Sequence, residues 1–506
     1  MNQLLPDALY TAEQVRELDR ITIEEFGTEG FELMTRAGTE AFHKMCQTWP
    51  ALKEGSLKVQ VFCGAGNNGG DGYIIAGLAK QKGIPVTVTA LKAPELLKGD
   101  AHKAWAFCYS QKVDIQPFSE TTTITGDIVV DALLGTGLSG DVSGEYRIAI
   151  ETINAAGKPV IAVDIPSGLC ADTGAILGSA VSATQTVTFI GLKQGLMTAM
   201  GPELCGELTY ASLDVPIGVF TKQPASCQRI SRKKLADLIP QRPKHAHKGL
   251  YGHILLVGGN QGMPGAIIMA SESALACGAG RVTVATRKEH LMALAIRRPE
   301  LMAQGVDNSH DLNAMIPGKS VMVIGPGLGQ DHWARSLLKT ALASPLPLIL
   351  DADALNLIAD DSQLLCDRKS PMILTPHPGE AARLLGTTAD KIQKDRFNAA
   401  IEISQRFGCT VVLKGAGSLI ACGQNLQLCS AGNPGMAVAG MGDILSGVLG
   451  ALLAQDLEPE QAAALGVWLH STAADDLAAE QGEIGMLATA LIPGIRSRLN
   501  RLVNRE

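Results

Sequence analysis

The sequence predicts an α/β protein of two domains, each built on a parallel sheet with helical crossovers, and three observations predict it. The 506 residues suffice for between roughly two and four domains at the usual ~150 residues each, every one large enough to bury a full core. Glycine is abundant at 55 residues, hydrophobic residues reach 46% and aromatics only 4%, the balance of glycine-turn-rich α/β domains with cores of Ala, Val, Leu and Ile. Two series of short β-branched runs recur along the chain, and connections of roughly 20 to 40 residues between them are too long for hairpins and suit helical crossovers.

The elements follow in order. Leu33, Met34, Ala37, Ala41, Phe42 and Met45 recur at helical spacing and predict an amphipathic helix. Strands are expected at 58–63 (KVQVFC), 85–90 (PVTVTA), 127–132 (DIVVDA), 159–165 (PVIAVDI) and 186–190 (TVTFI), lying parallel in a doubly wound sheet. A loose stretch over about 214–249 carries Pro216, Pro224, Pro240 and Pro243 and a basic run from Arg229 to Lys234. The domain boundary is therefore placed near residue 225, giving domains 1–224 and 225–506. A second strand series is expected at 253–259, 281–286, 320–325, 347–353, 371–376 and 410–415. The two halves do not look like copies of each other.

Composition excludes several classes. Lys plus Arg number 43 against 50 Asp plus Glu, a net charge of -7 without a long basic run, which argues against nucleic acid as a partner. Eleven cysteines, an odd count without a C-x-x-C pair, indicate neither a disulfide framework nor a zinc knuckle, so a reducing, cytoplasmic setting is expected. Asp7 and Glu13 interrupt any export signal, and no uncharged apolar run of ~18 residues occurs, so no membrane partner is expected. There is no G-x-S-x-G elbow and no H-E-x-x-H, and the Walker-like PGKS at 317–320 has Asn313 in place of its upstream glycine. His245 and His247 lack a third ligand and read as linker histidines.

In the first half, VQVFC runs into GAGNNGGDG (Gly64 to Gly72) and then into a helical stretch. Gly64, Gly66 and Gly69 satisfy G-x-G-x-x-G in its strand-to-helix setting, but the acidic residue expected some ~20 positions on is missing, since Leu91 and Lys92 follow the next strand. Asn67, Asn68 and Asp71 also crowd a turn that an ordinary pyrophosphate loop keeps small, which weakens the dehydrogenase reading. A tight structural turn is the alternative. Asp131 ends one strand ahead of a glycine loop from Gly135 to Asp141, and Asp164 and Ser167 end another. Parallel strands place all three loops on the carboxyl rim, where ligands of open α/β sheets bind. Either aspartate alone would more often be a loop cap or an Asx turn.

GAGNNGGDG, VVDALLGTGLSGD and VDIPSGL resemble the signature segments of the YjeF N-terminal family, the NAD(P)H-hydrate epimerases, over about 1–218. The resemblance implies a Rossmann-like domain, with hydrated nicotinamide nucleotide contacted by Asn67, Asn68, Gly69, Gly70, Asp71, Gly135, Thr136, Gly137, Leu138, Ser139, Gly140, Asp141 and Asp164. It implies potassium (K+) held by Asn68, Asp131 and Ser167, oxygen ligands that suit a hard cation. The reaction inverts C6 of the hydrated ring, and Asp164 is the candidate acid/base.

In the second half, GPGLG (325–329), TPHPGE (375–380) and KGAGS (414–418) follow expected strands, and NPGMAVAGMGDILSGVLGALLA (433–454) opens an apolar helix with a glycine turn. Gly440 and Gly442 permit close approach while the first N–H groups of the helix point at an anion. A carboxylate there, Asp443, repels phosphate unless it takes the proton of an attacking hydroxyl. Capping the helix is its alternative role.

With HKGLYGHILLVGG and LDADALN, these segments resemble, in order, the ribokinase-like ADP/ATP-dependent NAD(P)H-hydrate dehydratases of the YjeF C-terminal family, over about 226–502. By that resemblance Ala266, Gly327, His377 and Asp443 contact the hydrated substrate, while Lys414, Gly415, Ala416, Gly417, Ser418 and Gly442 hold the nucleotide, with magnesium (Mg2+). Such enzymes phosphorylate the C6 hydroxyl and then eliminate phosphate. The family's Gly-Thr-Gly-Asp is here Gly440-Met441-Gly442-Asp443, so a hydroxyl is missing while the backbone role survives. The implied protein is a bifunctional isomerase and lyase. It epimerises R and S hydrates of NADH and NADPH and dehydrates the S form at the expense of ADP or ATP, giving AMP and phosphate when ADP is used; a homo-oligomer is expected. Alternatives are a ribokinase-like kinase of small alcohols and a non-catalytic N-terminal binding or scaffold module.

Overall fold

The computed structural model describes residues 5–239, 241–365 and 368–505; Pro240 of the loose stretch lies outside the described residues. The chain divides into two compact units between Gln228 and Arg229.

The first unit holds a seven-stranded sheet in the order Asp114–Pro117, Val86–Ala90, Val59–Cys63, Ile128–Ala132, Val160–Val163, Gln185–Phe189 and Glu207–Ala211. Every neighbouring pair is parallel. All five strands expected here form, with register pinned by the pairs Cys63 with Ala90 and Cys63 with Ala132. The two edge strands, Asp114–Pro117 and Glu207–Ala211, lack a sustained β-branched run, so no sequence pattern marks them. The expected helix is Gly30–Thr48, and its periodic residues Leu33, Met34, Ala37, Ala41, Phe42 and Met45 are all buried. It packs beside Asn67–Gln81, whose glycines let it lie close to the sheet: a Cβ on Gly72 would stand 2.6 Å from that of Ala132 and 2.9 Å from Sγ of Cys63.

An earlier helix, Ala12–Glu24, was not anticipated, although Thr11 and Gln14 form a capping box at its start. Ahead of it Ala8–Tyr10 pairs in parallel with Leu192–Lys193, placing Tyr10 opposite Lys193.

The second unit contains nine strands in the order Met302–Gly305, Arg281–Thr286, His253–Val257, Val321–Ile324, Leu348–Leu350, Met372–Leu374, Thr410–Leu413, Ser418–Cys422 and Asn425–Cys429. The six expected strands form and are parallel. The last two strands are antiparallel, joined by the two-residue turn Gly423-Gln424 with Gly423 at φ +60°. Glycine at positive φ between alternating runs is a hairpin signal that a purely parallel template overlooks. Helices Pro264–Ala276 and Met441–Ala454 pack together over the sheet, with Pro459–Gln481 beside the latter. Among the described residues no helix is long and apolar enough to cross a membrane.

Candidate active sites

In the first unit Val59–Cys63 is flanked by the strand that follows it on one side and by Ile128–Ala132 on the other, so the crossovers diverge and a crevice opens at their carboxyl ends. A cleft of about 650 Å³ occupies this rim, lined by Asn67, Asn68, Asp71, the loop from Gly135 to Ser139 and Asp164. Gly69 and Gly70 are not part of its lining: a Cβ on Gly69 would meet the Gly64 carbonyl at 2.2 Å and one on Gly70 the Met34 sulfur at 2.6 Å, so both are packing glycines. Gly140 and Asp141 also lie outside the lining.

Asp131 is wholly buried. It accepts the Ser167 hydroxyl at 2.6 Å, the Ser167 N–H at 2.8 Å and the Leu133 N–H at 3.2 Å. Burial pushes its carboxyl up to about 6, against the lowering effect of those hydrogen bonds. The Leu134 carbonyl accepts from Ser167 at 3.2 Å and from the Asn68 amide at 3.1 Å, linking Asn68 to the Asp131–Ser167 pair. Oδ1 of Asn68 is buried without a hydrogen-bond partner among the described residues. An orphaned acceptor costs roughly 1–3 kcal/mol unless something binds it.

Asp164 sits at φ +69°, a left-handed conformation that aspartate tolerates better than most residues. Its carboxylate accepts from Nζ of Lys193 and from the Phe189 N–H at 3.2 Å. Lys193 is fully buried, and its ammonium also donates to Thr188 Oγ1 and the Phe189 carbonyl, each at 3.1 Å. Three further carboxyls line the cleft, Asp19, Asp71 and Asp100. Burial pushes Asp19 up to about 7, with Lys193 opposing and Asp164 adding. Burial holds Asp71 well above the usual carboxylate range, reinforced by Asp164 and Asp19. Sequence reasoning missed Asp19 and Lys193. Their signals were a carboxylate on the Ala12, Val15, Thr22 stripe of a helix and a lysine just after an apolar strand.

In the second unit the helix Met441–Ala454 is capped by Gly440 at φ +94°, so Asp443 is its third residue and not its N-cap. A Cβ on Gly442 would stand 3.3 Å from Nζ of Lys414 and 3.7 Å from Oδ2 of Asp351. Asp351 is buried, and accepts from Lys414 at 2.9 Å, Thr375 at 2.7 Å and Ser446 at 2.8 Å. Burial alone would raise its pKa, yet Lys414 and these hydrogen bonds win and hold it below the usual range. Asp443 has no such side-chain donors among the described residues. Burial pushes it up to about 7, with Asp351 adding and Lys414 opposing.

The loop from Lys414 to Ser418 is shaped by buried Arg396, whose guanidinium donates to the carbonyls of Leu413, Lys414 and Gly417. Ser418 donates back to the Gly415 carbonyl at 3.1 Å. His377 caps Pro378–Leu385, its Nδ1 accepting from Gly379 and Glu380, and burial, with help from Lys414, holds its pKa below normal despite Glu380. Ala266 and Gly327 adjoin, since a Cβ on Gly327 would lie 3.1 Å from that of Ala266. Nothing local in LDADALN singles out Asp351, and nothing local marks Arg396. Met441 points into the core, so the departure from the family pattern falls on a buried side chain.

Comparison with known proteins matches one family model within each unit. The family model described as YjeF-related protein N-terminus matches residues 30–195, and the one described as NAD(P)H-hydrate dehydratase matches 254–496. The bifunctional NAD(P)H-hydrate repair enzyme Nnr of Coxiella burnetii is 46% identical over 493 residues, covering 97% of this chain and 99% of that protein. The chain belongs to this repair-enzyme family. Its Escherichia coli member is 41% identical over 99% of this chain and 95% of its own. Among solved structures, the ADP/ATP-dependent NAD(P)H-hydrate dehydratase from Bacillus subtilis, co-crystallized with ATP/Mg2+, is 29% identical with a TM-score of 0.50, covering 54% of this chain and 98% of that one. The two units of this family member are accordingly Rossmann-like and ribokinase-like.

Proposed function

We propose that the chain repairs hydrated NADH and NADPH, the first unit interconverting the R and S hydrates at C6 and the second dehydrating the S form with an adenine nucleotide. The observation that carries the dehydratase reading is the placement of Asp443 in the first turn of a glycine-capped helix, beside the Lys414–Asp351 pair. The helix N-terminus and Lys414 attract phosphate. Asp443, near 7, accepts the proton of the C6 hydroxyl as oxygen attacks the terminal phosphoryl group, AMP leaving when ADP is the donor. Loss of phosphate from C6 and of a proton from C5 then restores the ring double bond. Lys414 to Ser418 and Gly442 would hold the nucleotide, and Ala266, Gly327 and His377 the hydrated ring.

In the first unit the orphaned Asn68 oxygen, the Leu134 carbonyl, Ser167 and Asp131 offer the oxygen donors a potassium ion takes. When bound, it supplies a fixed positive charge beside the loops that hold the substrate. Asn67, Asp71, Gly135, Thr136, Gly137, Leu138 and Ser139 would line the nucleotide, and Asp164, held by Lys193, would move a proton at C6. Magnesium fits only as part of the nucleotide complex. Among the described residues no cluster of three His, Cys, Asp or Glu could hold a metal, whereas magnesium is often bound by one or two carboxylates plus substrate phosphates.

The test is incubation of the full chain with mixed R and S hydrates, ADP and magnesium while reduced-nicotinamide absorbance is followed. Complete, nucleotide-dependent recovery with release of free phosphate is expected. Phosphate retained on the acceptor would mark a small-alcohol kinase instead, and residual R hydrate would remove the epimerase role.

A further inference from the structure

We propose that Asp19 is the second proton-transfer group of the epimerase cleft, delivering a proton to the departing C6 hydroxyl on one face of the ring while Asp164 takes a proton from the water that returns on the other. The proposal rests on the epimerase reading above. Inversion at C6 without oxidation or reduction needs the C6–O bond to break with its electron pair leaving on oxygen. That oxygen takes a proton and departs as water, and the N1 lone pair closes an N1=C6 iminium. Water then adds to the opposite face and gives up one proton, so the balance is one proton in and one out. Two faces call for two groups, one protonated and one ionised.

The cleft supplies that division. Asp164 is clamped by the ammonium of buried Lys193. Asp19 and Asp71 line the same cleft and have no cationic hydrogen-bond partner of that kind among the described residues. The other charged groups lining it are Arg16, on the helix of Asp19 and bonded to the Thr136 carbonyl at 3.0 Å, and Asp100, paired with Lys103 at 2.8 Å. Asp71 is buried within its helix and strongly resists ionising, whereas Asp19, pushed to about 7, exchanges its proton near neutral pH, as a group that must act in both directions requires.

The fold also fixes its position. The helix Ala12–Glu24 is tied down at Thr11, by the carboxylate of Asp172 accepting from the Ala12 N–H at 2.6 Å, and by the pairing of Tyr10 with Lys193. Asp19 thus reaches the clamp from a segment that precedes the stretch matched by the N-terminal family model.

The experiment compares the full-length wild type with Asp19→Asn and Asp19→Glu, starting from pure R hydrate in water enriched in oxygen-18 and following inversion by proton resonance at C6. In wild type, label enters C6 with each inversion, and the rate falls as pH rises through about 7 because Asp19 gives up its proton. Asp19→Asn is expected to slow inversion by about 10² to 10⁴-fold, to flatten that alkaline fall, and to leave dehydration of pure S hydrate unchanged. Asp19→Glu keeps a carboxyl and recovers part of the rate with the alkaline limb displaced. Inversion retained above about a tenth in Asp19→Asn, well inside the general-acid range, or inversion without label, overturns the proposal. Should Asp19→Asn fail to fold, an unmoved limb in Asp19→Glu overturns it and a displaced one supports it. A wild type that never interconverts the hydrates overturns the epimerase reading as well, which separates the two failures.

Discussion

The two clefts are built on the same electrostatic plan and diverge in what surrounds it. Each clamps an aspartate from the sheet's carboxyl rim to a lysine, Asp164 to Lys193 in one unit and Asp351 to Lys414 in the other. Each also holds another aspartate near 7, Asp19 in the first and Asp443 in the second. In the second unit that aspartate sits in the first turn of a helix, where backbone N–H groups favour an anion, and the arrangement suits attack on a phosphoryl group. In the first unit it lies midway along a helix, in a cleft lined by three more carboxyls, a setting for proton traffic at a ring carbon. A shared Asp–Lys clamp thus leaves the reaction open, and the two sites differ in where the second aspartate stands along its helix.

The sharpest way to break this comparison is Asp443→Asn. Asn is nearly isosteric and cannot accept the proton, so nucleotide-dependent recovery of NADH from S hydrate should fall by about 10² to 10⁴-fold, with the melting temperature and epimerisation nearly unchanged. The wild-type dehydration rate should rise with pH through about 7, because a raised carboxylate pKa delays the ionised, proton-accepting form to higher pH, and the variant should lose that rise.

Lys193→Met tests the other clamp. Removing one partner of a buried pair leaves Asp164 uncompensated and typically costs about 3–5 kcal/mol, so calorimetry should show the first unit melting earlier and epimerisation lost, with dehydration retained at low temperature. Asp131→Ala removes the only formal charge among the oxygen donors around Asn68. Epimerisation should fall and lose its response to added potassium, while dehydration of S hydrate is unaffected. Chains 1–224 and 225–506 expressed separately should each keep one activity, the first without nucleotide. The smallest effect is expected from Met441→Thr, which restores the family's hydroxyl at a buried position: nucleotide affinity should hardly move, while stability drops by about 0.5–3 kcal/mol.

The sequence by itself determined the parallel strands, the loops at their carboxyl ends and most of the residues on both rims, because β-branched runs and glycine turns act locally and parallel pairing puts successive strand ends on one edge. Asp131, Asp164, Asn68 and Asp443 could be chosen on that basis alone. The tertiary structure decided which of the chosen residues share a cleft: Gly69 and Gly70 turned out to serve packing, since only the assembled sheet shows how closely the helix Asn67–Gln81 lies against it. It also supplied roles that a local pattern does not assign. Lys193, Arg396 and Asp19 act through partners distant in sequence, among them Asp164 for Lys193 and the Leu413 and Gly417 carbonyls for Arg396. Proton affinities follow the same rule, because burial and neighbouring charge set them, and both exist only once the chain has closed around the site.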